Sequence, residues 1–497
     1  MPAQPRDENI FLHAEFDLHA LLCLAKRLRK RACTCELSQR PIGGSFNWTI
    51  VLSFDDGVEW IFRSPRTHRA YGIHDDAAAL LLASEAATLK YIKKHSSIPV
   101  PEVFYYSCTK SNEVGVPFIL MSKAPGSVLS TRWQAELPGM PNDDTKSAQY
   151  LTQEDKEKVM KQLGAITAQL LHLRVDKIGS LFEEEGSYTV KECLSLGHML
   201  HERCTFEEIC RGPFDEEQDY YNSLLSAYRQ HIQYLPMLHH IFFAPVPLPL
   251  EYRSYASYLS ATDRWNDFVT PVPRRHDPHF HKRLRGTPTS RSGVGFPIRH
   301  HDLSTNNIFV DNDCNITCII DWQFASSVPV SELLATPGMP HPRDQPEPFL
   351  VSAFRAGVTS HLEREGETIN PSVLEVSEKV WHFVRLTDMD ALQDYNHFAE
   401  LLMSVSKKPM DIPKLFREQY NEKSISEMLE VLAADDDQQS DIARRENEYF
   451  SAVGRDREAI SRKFTMALEL NRGFIADGRL WRWMEDALAS THGPNGS

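Results

Sequence analysis

Three things are scarce in this 497-residue chain: long apolar runs, positive charge and paired cysteines. No stretch of 18 or more apolar residues occurs, so no helix is expected to span a bilayer. The formal charge is -14, with 54 basic against 68 acidic residues. That balance speaks against a protein that tracks a nucleic-acid backbone, which needs a basic face to neutralise phosphates. Nine cysteines are spread thinly, with no CxxC pair at zinc spacing and no even framework of bridges. Cys33, Cys35, Cys314 and Cys318 therefore read as structural thiols, and a reducing compartment is expected: the cytoplasm, with the mitochondrion as the alternative. The first residues are acidic and polar rather than a basic segment followed by an apolar one, so no signal peptide is expected. The basic run Lys26 to Arg31 reads as a solvated helix face.

What is present is ordinary for a folded chain in water: 41% hydrophobic and 25% charged residues. At roughly 100–200 residues per domain the length implies two to four structural units. From Cys35 to Ser122 the pattern is rich in strands. Trp48, Ile50, Leu52 and Phe54 alternate before Asp56-Gly57, the best hairpin turn in the chain; Val58, Trp60 and Phe62 alternate after it. LLLASEAATLKYIKKH then takes helical period, with Leu82, Leu89 and Ile92 on one face. The strand Pro117 to Ser122 runs into Lys123-Ala124-Pro125-Gly126, a turn that marks a domain boundary. Helices are expected over Val159 to Leu173 and Glu216 to Leu235, and the second half reads as mostly helical. Pro271 to Arg291 reads as an exposed loop, and Asp435-Asp436-Asp437 breaks two amphipathic stretches near the end.

The segment FPIRHHDLSTNNIFVDNDCNITCIIDW carries the chemistry. Two short apolar strands, NIFV and ITCIID, flank the turn-forming Asp311-Asn312-Asp313. Antiparallel pairing about that turn sets Asn307, at the start of one strand, beside Asp321, at the end of the other. Magnesium takes oxygen ligands and is commonly held by one or two protein groups, so Asn307 and Asp321 are the candidate metal ligands. Asp302, five residues before Asn307, is placed to accept a proton from a hydroxyl. A metal hydrolase using His300, His301, Asp302 and Asp321 is the rival chemistry, but adjacent residues on a strand point to opposite faces.

In the first lobe Glu85 shares the buried face of its helix, and a buried carboxylate needs a cation. Arg63, at the end of the strand after the Asp56-Gly57 turn, is the candidate partner. Gly43-Gly44-Ser45-Phe46-Asn47 precedes the first strand of that hairpin. It reads either as a turn whose N–H groups can approach phosphates or as an ordinary turn.

The pattern H-x-D-x-x-x-x-N followed by an apolar strand and Ile-Asp resembles the catalytic loop of the kinase fold. In the form HxDLxxxNIxVD...IIDW it is similar to the aminoglycoside phosphotransferase (choline kinase-like) family. IGSLF, RGPFDEEQDYY and PGMPHPR resemble the fungal branch of that family, over roughly residues 38 to 345. The resemblance implies an α+β, bilobal protein-kinase-like fold. Residues 1–123 would form a small antiparallel-sheet lobe with one key helix, 124–400 a larger, mainly helical lobe, and 401–497 a helical extension. It implies Asp302 as catalytic base, His300 as the brace of its loop, and Asn307 with Asp321 holding Mg2+. It places Gly43, Gly44, Ser45, Asn47, Arg63, Glu85 and Ala124 around ATP, or GTP, with Ala124 offering backbone groups to the base and Trp322 packed behind Asp321. Gln323 departs from the pattern, standing where many relatives carry glutamate. The expected activity is phosphoryl transfer to a hydroxyl of a small molecule, with no nucleic acid or membrane span involved. A nucleotide-binding scaffold without turnover is the second reading.

Overall fold

The computed structural model describes residues 16–36, 42–43, 46–66, 73–133, 150–200, 202–234, 295–342 and 344–388, together with His397, Glu400 and Leu401. The Pro271 to Arg291 loop, the Asp435-Asp436-Asp437 break and, apart from Leu401, the expected extension 401–497 lie outside them. Contacts divide the chain into two units. One comprises Met1–Ala135, Thr145–Gln230 and Ser290–Asp388, and holds every element below except the end of the helix Glu217–Tyr234; the other is described at only a few positions.

Helix α1 (Leu18–Arg29) opens the small lobe, capped by Asp17, whose side chain accepts from the Ala20 N–H. Strands β1 (Cys33–Thr34), β2 (Ile42–Gly43), β3 (Asn47–Phe54) and β4 (Glu59–Pro65) follow. Then come helix α2 (Asp75–His95) and strands β5 (Val103–Ser107) and β6 (Phe118–Ser122). They form one antiparallel sheet in the order β1-β3-β4-β6-β5, with β2 also paired to β3. The β3–β4 hairpin turns at Asp56-Gly57, where Gly57 has φ +80. Val58 precedes β4 and is exposed.

Alternation along β4 decides what each face does. Trp60 and Phe62 join Trp48, Ile50, Leu52 and Phe54 under α1, where Leu21 and Leu24 close one core. The intervening Ile61 and Arg63 take the other face with Ile119 and Met121, toward α2. Leu82, Leu89 and Ile92 of α2 are buried there, in a second core that runs on into the larger lobe.

Strand β7 (Ser127–Val128) and helix α3 (Ser130–Trp133) begin that lobe. Helix α4 (Gln153–His172) starts in a capping box formed by Thr152 and Asp155. Strands β8 (Arg174–Val175), β9 (Ser180–Glu184) and β10 (Ser187–Lys191), then helices α5 (Leu196–Met199) and α6 (Glu217–Tyr234), lead to strands β11 (Phe296–Arg299), β12 (Ile308–Val310), β13 (Ile316–Ile319) and β14 (Ser326–Ser327). Helices α7 (Val330–Leu333), α8 (Pro348–Arg364) and α9 (Pro371–Asp388) follow. This lobe is less uniformly helical than the sequence suggests. IGSLF enters the β9–β10 hairpin, and β11 sits between β8 and β14. These are runs of two to five residues, too short for periodicity to declare them. Cys318 lies inside β13 and is buried.

Strand β7 pairs with β12, so the chain joins the larger lobe directly after Lys123-Ala124-Pro125-Gly126. Gly126, at φ +90, could not carry a side chain: a Cβ there would lie 2.4 Å from the Val310 carbonyl oxygen. Helix α2 is tied to the larger lobe by a 2.7 Å ion pair between Lys90 and Glu183 and by the edge-on contact of Tyr91 with Tyr188.

Candidate active site

Two loops make the site, one before β12 and one after β13. The β12–β13 turn is held by Asp311, whose carboxylate accepts from the N–H groups of Asp313 and Asn315. Ile308 pairs with Ile319, and the Ile320 N–H donates to the Asn307 carbonyl at 2.9 Å. This register sets Asn307 and Asp321 side by side at one end of the hairpin, each just outside its strand.

His300 is buried at the head of the first loop. Its Nε2 lies 2.9 Å from the Ile320 carbonyl and its Nδ1 accepts from the Asp302 N–H at 3.2 Å. A carbonyl only accepts, so the ring carries its proton on Nε2 and is neutral. Burial also lowers the affinity of the ring for a second proton. Trp322 meets that ring edge-on, with centroids 4.8 Å apart, and donates from Nε1 to the Ile319 carbonyl at 3.0 Å. The imidazole thus ties the Asp302 backbone to the segment that leads from β13 to Asp321.

Asn307 orients Asp302. Its amide nitrogen donates to the Asp302 carbonyl at 2.8 Å and to Asp302 Oδ2 at 3.1 Å. With that nitrogen engaged, the Asn307 side-chain oxygen is the atom left to serve a cation. The middle of the loop is anchored from PGMPHPR, where the Pro340 carbonyl accepts from the Thr305 N–H at 3.0 Å.

Arg63 bridges the lobes. One guanidinium nitrogen is hydrogen-bonded to Glu85, as its place on β4 implies, and Nη1 lies 3.2 Å from Asp321 Oδ1. Burial pushes the Glu85 carboxyl up, against the pull of Arg63. Burial works to lower the Arg63 value, but Glu85 and Asp321 outweigh it and hold the guanidinium charged. One cation therefore faces two carboxylates. Asp321 Oδ1 is a buried oxygen without a well-aligned hydrogen bond, despite its closeness to Arg63. An under-satisfied carboxylate oxygen beside the Asn307 amide is an all-oxygen donor set that fits magnesium.

Among the other expected residues, Gly43 ends β2 opposite Trp48, and Asn47 begins β3. Gly44 and Ser45 lie outside the described residues. Ala124 is half-buried just past β6, in the linker. The two adjacent histidines diverge: His301 Nε2 lies 2.7 Å from Ser326 Oγ, away from the His300 partners. Among the described residues no group of three or more His, Cys, Asp or Glu could hold a metal, which disfavours the hydrolase reading.

Two contacts were not legible beforehand. Asp321 pairs with Arg63 across the lobes, and Gln323 Oε1 accepts from Asn47 Nδ2 at 2.6 Å. Asp321 and Phe324 both have left-handed backbones, at φ +62 and +67. That double reversal turns the loop toward the small lobe, and no local residue pattern announces it in a non-glycine segment.

The described residues thus form a small antiparallel sheet with one buried helix, a short linker, and a larger lobe carrying an HxD loop and a β-hairpin, a bilobal α+β arrangement. No family model matches the chain. It is 26% identical over 328 residues to a subtelomeric hrmA-associated cluster protein of Aspergillus fumigatus, covering 58% of this chain and 57% of that one. The match thus spans a little over half of that relative's length. Over 140 residues it is 30% identical to altered inheritance of mitochondria protein 9, mitochondrial, of Candida tropicalis, covering 27% of this chain and 20% of the other. Among solved structures, the macrolide 2'-phosphotransferase MphH of Brachybacterium faecium is 15% identical with a TM-score of 0.38, covering 79% of this chain and 100% of that one. Spectinomycin phosphotransferase, in complex with ADP and spectinomycin, is 13% identical with a TM-score of 0.33, covering 84% of this chain and 97% of the other. Among the described residues no helix is long and apolar enough to cross a membrane.

Proposed function

We propose that the chain is a magnesium-dependent phosphotransferase that moves the γ-phosphoryl group of ATP, or of GTP, to a hydroxyl of a small molecule. The observation that carries this reading is the pairing of Asp302, oriented by Asn307, with Asp321, held by Arg63 beside the same asparagine. Asp302 takes the proton of the acceptor hydroxyl as its oxygen bonds to phosphorus and the nucleoside diphosphate leaves. His300 keeps the Asp302 backbone in place through Nδ1. Arg63, fixed by Glu85, presents a permanent charge to the phosphates, and its planar fork suits them. Asn307 and Asp321 would hold magnesium, which when bound neutralises charge on the phosphate oxygens. Ala124 and the glycine-bearing turn are assigned to the nucleotide by resemblance.

The acceptor class is a small hydroxylated metabolite such as an aminosugar or an amino alcohol. Location in the cytoplasm or the mitochondrion is decided by fractionation. Titration calorimetry with ATP and GTP, with and without magnesium, tests the reading. Binding that requires magnesium and is lost in Asp321→Ala supports it; no nucleotide binding by the intact chain overturns it.

A further inference from the structure

Four consecutive residues after β13 meet the small lobe. Asp321 faces Arg63, the Trp322 backbone N–H is turned to Glu85, Gln323 accepts from Asn47, and the Phe324 ring meets Phe46 with centroids 5.2 Å apart. Phe324 is buried among Ala77, Leu81 and Phe182, with Phe46 packed against that cluster. The apolar contact gives adhesion but little register. The hydrogen bond supplies direction, because a 2.6 Å amide–amide contact needs both groups in one orientation. Gln323 is buried, and an acceptor removed from water is worth keeping paired.

We propose that Gln323 is a positioning residue: by accepting from Asn47 it ties the start of β3, and with it the end of the glycine-bearing turn, to the loop that carries Asp321. The tie holds Asn47, where that turn ends, in a fixed place relative to the carboxylate assigned to the metal. A glutamine achieves this without a further negative charge beside Asp321. The consequence for nucleotide binding rests on the function proposed above; the tie itself does not.

The test uses the full chain without nucleotide. Hydrogen–deuterium exchange is followed at the amides of residues 47–49 in wild type, Gln323→Met, Asn47→Ala, the double variant and Gln323→Glu. Losing one neutral hydrogen bond should speed exchange there by roughly two- to tenfold in each single variant. The double variant should be no faster than the singles, and Gln323→Glu, which still accepts, should match wild type. Unchanged exchange in both single variants, or additive effects in the double, would overturn the tie. Asn47→Ala approaches the contact from its less buried side, so a folding defect in Gln323→Met does not hide the answer. With magnesium and nucleotide present, Gln323→Met should weaken nucleotide binding by a similar factor, and Gln323→Glu should restore it. A Gln323→Met affinity equal to wild type would overturn the positioning role. A wild-type chain that binds no nucleotide would overturn the phosphotransferase reading, while the exchange data still decide the tie.

Discussion

Replacing Arg63 by methionine would leave Glu85, buried on the inner face of α2, without the cation that offsets its desolvation, and would release Asp321 from the small lobe. Removing one partner of a buried pair typically costs about 3–5 kcal/mol, because the other charge stays behind. Arg63→Met should therefore destabilise the chain by about that much in urea unfolding, whereas Arg63→Lys keeps the charge but loses the fork and should fall between. An Arg63→Met protein as stable as wild type would show that the bridge is ornamental. Asp321 makes a different kind of prediction. Even the outer partners of metal ligands alter affinity by about 10–100-fold, so if Asp321 is the ligand proposed above, Asp321→Ala should weaken magnesium–nucleotide binding by roughly tenfold or more. Nucleotide affinity measured without magnesium should change far less, and equal losses in both conditions would contradict the ligand role.

Helices α4 and α8 approach so closely that only glycine fits at their crossing. A Cβ on Gly164 would lie 2.1 Å from the Phe354 carbonyl oxygen, and one on Gly357 would lie 2.1 Å from that of Lys161. Backbone cannot yield as a side chain can, so Gly164→Ala or Gly357→Ala should cost at least roughly 1–3 kcal/mol, read as a fall in Tm. An unchanged Tm would mean that the helices stand further apart. Helix α5 sets a pH dependence. His198 is fully buried between Ser195 Oγ and Ser223 Oγ, each 2.9 Å from a ring nitrogen, and burial lowers its pKa from 6.5 to about 3. Between those values the unfolded chain binds a proton that the folded chain refuses. Stability is therefore full above about pH 6.5 and declines as the pH falls toward 3. His301, also buried and held well below its ordinary value, adds to the same limb. His198→Asn should flatten the acid side of the stability profile, and an unaltered slope would assign it to other groups.

At the scale of the whole molecule, what could be read in advance was what local pattern encodes. Helical period put Glu85 on the buried face of α2, its need for a cation pointed to Arg63 at the end of the neighbouring strand, and the Asp311 turn fixed the register that joins Asn307 to Asp321. The closing of one lobe onto the other was not legible. Asn47 and Gln323 stand 276 positions apart, and their meeting depends on left-handed turns at Asp321 and Phe324 that carry no glycine signature. The short strands β8 to β11 were hidden for a related reason: they exist because neighbours pair with them, not because their own sequences demand extension.

In the proposed reaction Asp302 acts on the acceptor while Asp321 and Asn307 serve the nucleotide. The most direct measurement compares wild type with Asp302→Asn in nucleoside diphosphate release over a panel of small hydroxylated acceptors, alongside magnesium–nucleotide affinity by calorimetry. Loss of a general base should reduce transfer by about 10²- to 10⁴-fold while affinity stays within roughly twofold. Transfer by Asp302→Asn at the wild-type rate would contradict the account.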